Sequence, residues 1–496
     1  MTTLSAPVGD ADEARLNELG YEQELTRSLR LPDVISLGFA GISPVVGLYA
    51  VVLVGATVAG PAWVWVLPVA LAGQCLLLAV YAELAAEFPV TGGAYQWTRR
   101  LLGGAYGWFT GWVAICAYAV ANTTVAYLGA PWALALLGVD ATPNAIVLTG
   151  VVLVAVCAAA GALGVATLGR VVKAGIAAEL VASIGIGLAL LLVFREHGFS
   201  LLTETFGAEA LSGGSVSAGL LAALAVGGWV FIGFDVVVGA AEECRDASRH
   251  VPRAIWITLL GVGAVVMLNA VAVTLAHPDP AAVAAGADAD PVGTSVAAAF
   301  GGWADKPFAA IVLVAFVACG MAAQALTARI MFSVARDGAL PASRALRVVD
   351  RRGSPIVAIA VTAVIAAGGL LFGLHSAAVG SLIAFGTAAI YVAFLLIALA
   401  ALIARVRGTW VPLARTRLGR RSGTVINALA VAWLAFEAVN IAWPRTSLAP
   451  PGAPGYQVWA APIVLGAIGA AGLLYMLVAR PHRRAPDAMT TPRAGD

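Results

Sequence analysis

About twelve apolar stretches divide this chain, each near the ~20 residues that a helix needs to cross a bilayer. They fall at about 34–60, 62–87, 105–137, 144–163, 170–194, 216–241, 253–276, 307–336, 355–373, 377–404, 424–443 and 456–480. Inside lipid a backbone must satisfy its own N–H and C=O groups, so such stretches form helices. Composition agrees: 61% of residues are hydrophobic and 11% charged, with a mean hydropathy of +0.92, against about 25% charged in a soluble chain. The expected fold class is an all-α polytopic membrane protein. The first ~30 residues are polar and do not have a signal's short apolar core, so the first span is expected to act as its own insertion signal. The expected organisation is an amino-terminal arm over 1–33, five spans over 34–194, five more over 216–404, two over 424–480, and a disordered Pro- and Arg-rich tail over 481–496.

The loops assign sides. Of the 29 lysines and arginines, 26 fall on one side, and Arg195, Lys306 and Arg445 fall on the other. The positive-inside rule makes the crowded side cytoplasmic, with both termini there and the 277–306 loop outside. The expected location is the plasma membrane. Net charge is +2, which says little about partners because membrane charge is sorted by loop; no nucleic-acid partner is expected. Cys75, Cys116, Cys157 and Cys319 sit in spans and Cys244 in a loop, with no disulfide or metal spacing.

Two spans are interrupted. The first carries Gly41-Ile42-Ser43-Pro44-Val45-Val46-Gly47 at its centre. Pro44 removes a donor and pushes Ser43 out of the helical region. A half-helix starting at Pro44 would aim free N–H groups at an anion such as a carboxylate; the alternative is a proline kink packed on a neighbour. The sixth carries Gly227-Gly228-Trp229-Val230-Phe231-Ile232-Gly233-Phe234-Asp235. An acid at mid-membrane is costly and marks function by default, although Asp235 could simply cap the unwound turn. Paired breaks five spans apart point to an inverted-repeat transporter, spans 1–5 against 6–10 with two helices appended.

At these residues the chain resembles the amino acid–polyamine–organocation superfamily of permeases, and within it the amino acid/choline/GABA permease group. The resemblance rests on Glu18–Arg27, Gly41–Pro44, Glu83–Trp97, Gly233–Asp235 with Glu242-Glu243 and Val251–Ile255, and Ala335–Pro341. It implies a leucine-transporter-type 5+5 fold working by alternating access. The implied substrate belongs to the amino acid, GABA, choline or polyamine class, with its carboxylate held by backbone over Ile42, Ser43, Pro44, Val45 and Gly47. Groups from Phe231, Gly233, Phe234 and Asp235 would meet the amino end or side chain, with Phe231 and Phe234 as thin gates. It implies no cofactor.

In sodium-coupled relatives an ion sits between the first span and hydroxyls of the eighth. Here that stretch reads Cys319-Gly320-Met321-Ala322-Ala323-Gln324-Ala325-Leu326-Thr327 and offers few oxygen ligands. Proton coupling or exchange is therefore favoured over a sodium symporter. Glu179, inside span 5, could cycle that proton, balance a substrate ammonium, or only hydrogen-bond to unwound backbone of span 1. At the inner mouth, Glu87 with Arg99 and Arg100, Asp246 with Arg249 and Arg253, and Arg336 with Asp337 could pair as exposed charges worth ~0–1 kcal/mol each. An enzyme is the rival from another class, and no Ser/His/Asp set, metal cluster or phosphate loop supports it. A substrate sensor on a transporter fold is the other alternative.

Overall fold

The computed structural model describes residues 8–374, 379–412, 418–449 and 454–484. Residues 1–7 of the arm, His375, Arg415, Arg417 and the tail from 485, Arg493 included, lie outside the described residues; Pro481–Arg483 forms a single 3-10 turn. Among the described residues, twelve helices are long and apolar enough to cross a membrane.

Span 1 is built from Leu31–Ile42 and Pro44–Tyr49, and continues as Val52–Ala59. Gly60, at φ +60°, ends it. A side chain there would strike the backbone of Thr205, at 2.4 Å from its carbonyl oxygen. The 3-10 turn Gly60–Trp65 then feeds span 2, Val66–Glu87. Spans 3 to 5 are Gly104–Leu137, Pro143–Ala162 and Thr167–Leu192. Spans 6 to 9 are Val216–Gly239, Ala247–Ala276, Gly302–Arg336 and Ile356–Leu374. Spans 10 to 12 are Val379–Arg407, Arg420–Ala442 and Ala460–Ala479.

Burial sorts these helices. In its most apolar stretch, span 6 is 94% buried and span 12 only 11%. Span 6 is thus wrapped by protein and span 12 faces lipid. Spans 3 and 8 pack along each other, span 3 also along span 10, and span 1 lies against spans 5, 7 and 8. A helix that leaves its regular ladder needs such a jacket, because lipid offers its freed groups no partner.

Two polar segments also take regular structure. The arm forms a helix, Val8–Glu18, and an extended run in which Leu29 pairs with Cys244 as an isolated bridge. In the 277–306 loop, Asp279 and Asp290 each precede a proline and cap a short helix, Pro280–Ala284 and Pro291–Phe300, accepting from Ala282 and Gly293 N–H at 3.0 Å. Proline at the first helical position gives up a donor that would be unpaired anyway. The first of these helices rests on Val52–Ala59, at the C-terminal end of span 1.

Candidate functional site

The first break is at Ser43. Its φ is +48°, a conformation that non-glycine residues rarely adopt and that persists only when its surroundings enforce it. Those surroundings are hydrogen bonds. Ser43 N–H donates to Phe39 O and Gly47 N–H to Ser43 O, both at 2.8 Å. Val46 N–H donates to Ser43 Oγ at 3.1 Å. The Ser43 hydroxyl donates to Glu179 Oε1, and Val45 N–H donates to Glu179 Oε2 at 3.1 Å. Ser183 Oγ reaches the same oxygen at 3.4 Å. Pro44 has no N–H, so every first-turn donor of the second half of span 1 already has an acceptor. One of those acceptors is a carboxylate from span 5, 2% exposed. The chain of span 5 widens into a π-turn over Leu180–Gly185 immediately after Glu179.

The second break spans Gly228–Asp235. Regular helix stops at Gly227, a 3-10 turn covers Gly228–Phe231, and Ile232 is extended. Gly233 takes φ +107°, and one helical turn, Val236–Gly239, follows. The two breaks touch. A Cβ on Gly233 would lie 2.2 Å from Gly41 O, and one on Gly41 would lie 2.8 Å from Gly233 O. Asp235 does not cap Val236–Gly239 with its side chain. Its Oδ2 accepts the Tyr118 hydroxyl from span 3, while its Oδ1, buried, has no hydrogen-bond partner among the described residues.

Between the breaks lies a cavity of about 30 Å³, room for about two waters. It is lined by Ile42 and Val46 of span 1, Tyr118 of span 3, Trp229, Ile232 and Gly233 of span 6, with spans 8 and 10 closing it through Leu326 and Ile390. Of the residues singled out from sequence, Ile42 and Gly233 line this cavity. Ser43 and Val45 turn to Glu179, and Gly47 abuts Val230. Pro44 is buried at the break. Phe231 and Phe234 are fully buried and neither lines the cavity; Phe234 packs at 5.2 Å from the Tyr81 ring and 5.4 Å from Phe394. Tyr118 and Trp229 were not singled out from sequence. The one signal for Tyr118 is that it stands four residues before Asn122, another polar residue on the same face of an apolar helix.

Charge pairs form where the sequence suggested an inner mouth, with different partners and in a different setting. Arg99 pairs with Asp337 rather than Glu87, Arg336 with Glu242 rather than Asp337, Arg329 with Glu243, and Arg405 with Glu83. Glu87 meets Arg15 of the arm at 3.5 Å. The first four pairs are buried, with side chains no more than 8% exposed, so the value for exposed pairs does not apply. Removing one partner from a buried pair costs about 3–5 kcal/mol. Tyr21, from the arm, enters this cluster. Its hydroxyl contacts Gln96 Oε1 at 2.9 Å and Asp337 Oδ1 at 3.0 Å, and the Arg336 guanidinium lies 4.0 Å over its ring. Burial, and then the Asp337 carboxylate, push the Tyr21 phenol up from its ordinary value, so it stays a neutral donor.

Comparison with known proteins gives the family. The family model described as "Amino acid permease" matches residues 32–469. The chain is 27% identical to the mitochondrial cationic amino acid transporter 3 of Arabidopsis thaliana, over 80% of this chain and 65% of that protein. It is 26% identical to the amino-acid permease BAT1 homolog of Oryza sativa subsp. japonica, over 88% of each. It is 28% identical to the branched-chain amino acid permease BcaP of Bacillus subtilis (strain 168), over 85% of this chain and 90% of that protein. A model that matches nearly the whole membrane region, on a fold of twelve spans with two facing breaks, decides the assignment: the chain belongs to the amino acid permease family and is a multi-pass membrane transporter of the amino acid–polyamine–organocation superfamily, not an enzyme.

Proposed function

We propose that the chain carries an α-amino acid across the plasma membrane by alternating access around the two facing breaks, and that proton binding at Glu179 is linked to substrate binding. The observation that carries this reading is the Glu179 carboxylate at the start of the outer half of span 1. A helix N-terminus favours an anion, and here a side chain of the protein fills that role. A substrate carboxylate entering beside Ile42 and Val46 would compete with Glu179 and the Ser43 hydroxyl for the Val45 and Val46 N–H groups. Protonation of Glu179 removes the charge that holds the Val45 N–H and the Ser43 hydroxyl. Proton and substrate then favour the same arrangement, as coupling requires.

The amino end of the substrate would face the last carbonyls of Leu31–Ile42, which lack helical partners, and the Tyr118–Asp235 pair. The apolar lining of Ile42, Val46, Ile232, Leu326 and Ile390 suits an aliphatic side chain, and one relative is named for branched-chain amino acids. The cavity is smaller than any amino acid, so binding requires spans 1 and 6 to separate. In this reading spans 1–5 and 6–10 are the two repeats, and both termini are cytoplasmic, as the 26-to-3 division of basic residues supports.

The test is uptake of labelled branched-chain and cationic amino acids into proteoliposomes under an imposed pH gradient, with and without sodium. Accumulation along the proton gradient without sodium is the expected result. Uptake that ignores the gradient and requires sodium would overturn the coupling.

A further inference from the structure

A second cavity, also about 30 Å³, shares no lining residue with the one between the breaks. Spans 4 and 5 wall it through Gly161 and Leu168, span 8 through Met321 and Arg329, and the entry to span 9 through Ser354 and Ile359. Gly164 and Gly353 close its end, and they belong to the connections between spans 4 and 5 and between spans 8 and 9. These connections are packed tightly. A Cβ on Gly164 would lie 3.3 Å from Arg352 Cβ, and one on Gly353 would lie 2.8 Å from Thr26 Oγ1 of the arm.

One wall of this cavity is charged. Arg329 and Glu243 both line it. The guanidinium Nε donates to Glu243 Oε1 at 2.6 Å and Nη2 donates to Oε2 at 2.9 Å. That uses one edge of the guanidinium. Arg329 is 6% exposed, and its Nη1 is buried with no hydrogen-bond partner among the described residues. A buried donor left unpaired is costly, and more so on a charged group. The Glu243 carboxylate in turn has about four lone-pair sites, and the two bonds from Arg329 leave room for another donor. The pair is neutral as a whole. A lone anion would gain Nη1 but meet the charge of Glu243, and a lone cation would gain Glu243 but meet the guanidinium. A zwitterion answers both. The rest of the lining, with Leu168, Met321, Ala328 and Ile359, suits an aliphatic side chain.

A third cavity, of about 20 Å³, lies between these two. It shares Val125 with the cavity at the breaks, and Cys157 and Gln324 with the one at Arg329. The three therefore form a series from the breaks to the end of span 8 that carries Arg329.

We propose that the cavity at Arg329 and Glu243 is a second amino acid site, which takes the zwitterionic head group on its passage between the breaks and the face bearing the span 4–5 and 8–9 connections. As described, it has room for about two waters. Like the cavity at the breaks, it widens to admit its ligand. The inference rests on the amino acid reading and is independent of proton coupling.

The test is equilibrium binding of labelled leucine and of labelled lysine to the full-length protein in detergent, for wild type, Arg329→Lys and Ala325→Leu. Alkylation of Cys157 by N-ethylmaleimide, read by mass spectrometry, reports on the cavity itself. Arg329→Lys keeps a charge opposite Glu243 and drops the Nη1 donor. Ala325→Leu fills the cavity and leaves the pair intact. Thermal unfolding checks that each variant is folded; if Arg329→Lys is not, Ala325→Leu decides. Wild type is expected to bind two amino acids per chain and each variant one, with the affinity of the remaining site unchanged. The bound amino acid should slow Cys157 alkylation severalfold in wild type and not in the variants. Neither 4-methylpentanoate, which has no amine, nor 3-methylbutylamine, which has no carboxylate, should slow it. One amino acid per chain in wild type, with Cys157 alkylated equally fast in its presence, overturns the second site and leaves the wider reading standing. Two retained in a folded variant overturns it as well. If neither amino acid binds at all, the second site and the wider reading fail together.

Discussion

The breaks in spans 1 and 6 face each other, yet they leave different groups wanting. At Ser43 every donor is satisfied, and the carboxylate of Glu179 accepts two bonds from the break itself. At Asp235 the carboxylate belongs to the break, receives one hydroxyl from Tyr118, and keeps one buried oxygen without a partner. The first break is complete as it stands and must exchange a partner to bind anything. The second is incomplete and can gain one. A buried acceptor without a donor costs about 1–3 kcal/mol, so the Asp235 side gains from a cationic group, while the Ser43 side gains from an anion only after Glu179 lets go.

The contact that holds the two breaks together offers the largest expected effect. Gly233→Ala puts a methyl 2.2 Å from Gly41 O, at a φ of +107°. Transport should be abolished and stability should fall by about 2–4 kcal/mol, read by uptake and thermal unfolding in detergent. Near-normal transport would mean that the breaks are not packed against each other in the working cycle.

Tyr118→Phe attacks the incomplete side. It removes the Tyr118 hydroxyl from the Asp235 carboxylate, at a cost of about 1–3 kcal/mol. The substrate KM should rise more for amino acids than for analogues lacking the amino group. An equal rise for both would detach Asp235 from the amino end.

Ser43→Ala attacks the complete side more gently. The Val46 N–H loses its acceptor and Glu179 loses one donor, while Val45 N–H still holds the carboxylate. Loss of a cap of this kind costs about 1 kcal/mol. Uptake should weaken, and its pH dependence should persist because Glu179 is intact. A flat pH profile would mean that the response needs the hydrogen bond between Ser43 and Glu179 and not the acid alone.

The fold and both breaks were legible because lipid leaves a sequence few choices. Apolar length gave the spans, and glycine with proline marked where a ladder could not continue. The meeting of Gly41 with Gly233 was not legible, since it depends on helices far apart in the chain. Nor were the partners in the buried charge pairs. Neighbours in sequence suggested Arg336 with Asp337, but on a helix end adjacent residues point apart, and Arg336 reaches back to Glu242 while Asp337 receives Arg99. Glu179 stood out as an acid in an apolar span, and its hold on Val45 and Ser43 required the packing of span 5 on span 1. Phe231 and Phe234 stood out as aromatics near a break, where packing on Tyr81 and Phe394 is the role the fold gives Phe234.

Substrate affinity measured against pH, in wild type and Glu179→Gln, bears most directly on the exchange of partners at Ser43. An ionised Glu179 competes with the substrate carboxylate for the Val45 N–H and the Ser43 hydroxyl, and a protonated one does so less. Wild-type Kd should therefore fall as pH falls through the titration of Glu179. Glu179→Gln, which keeps size and an acceptor but carries no charge, should bind at every pH about as tightly as acidified wild type. A Glu179→Gln protein that keeps the wild-type pH dependence of Kd would contradict the account and leave Glu179 as a structural cap on span 1.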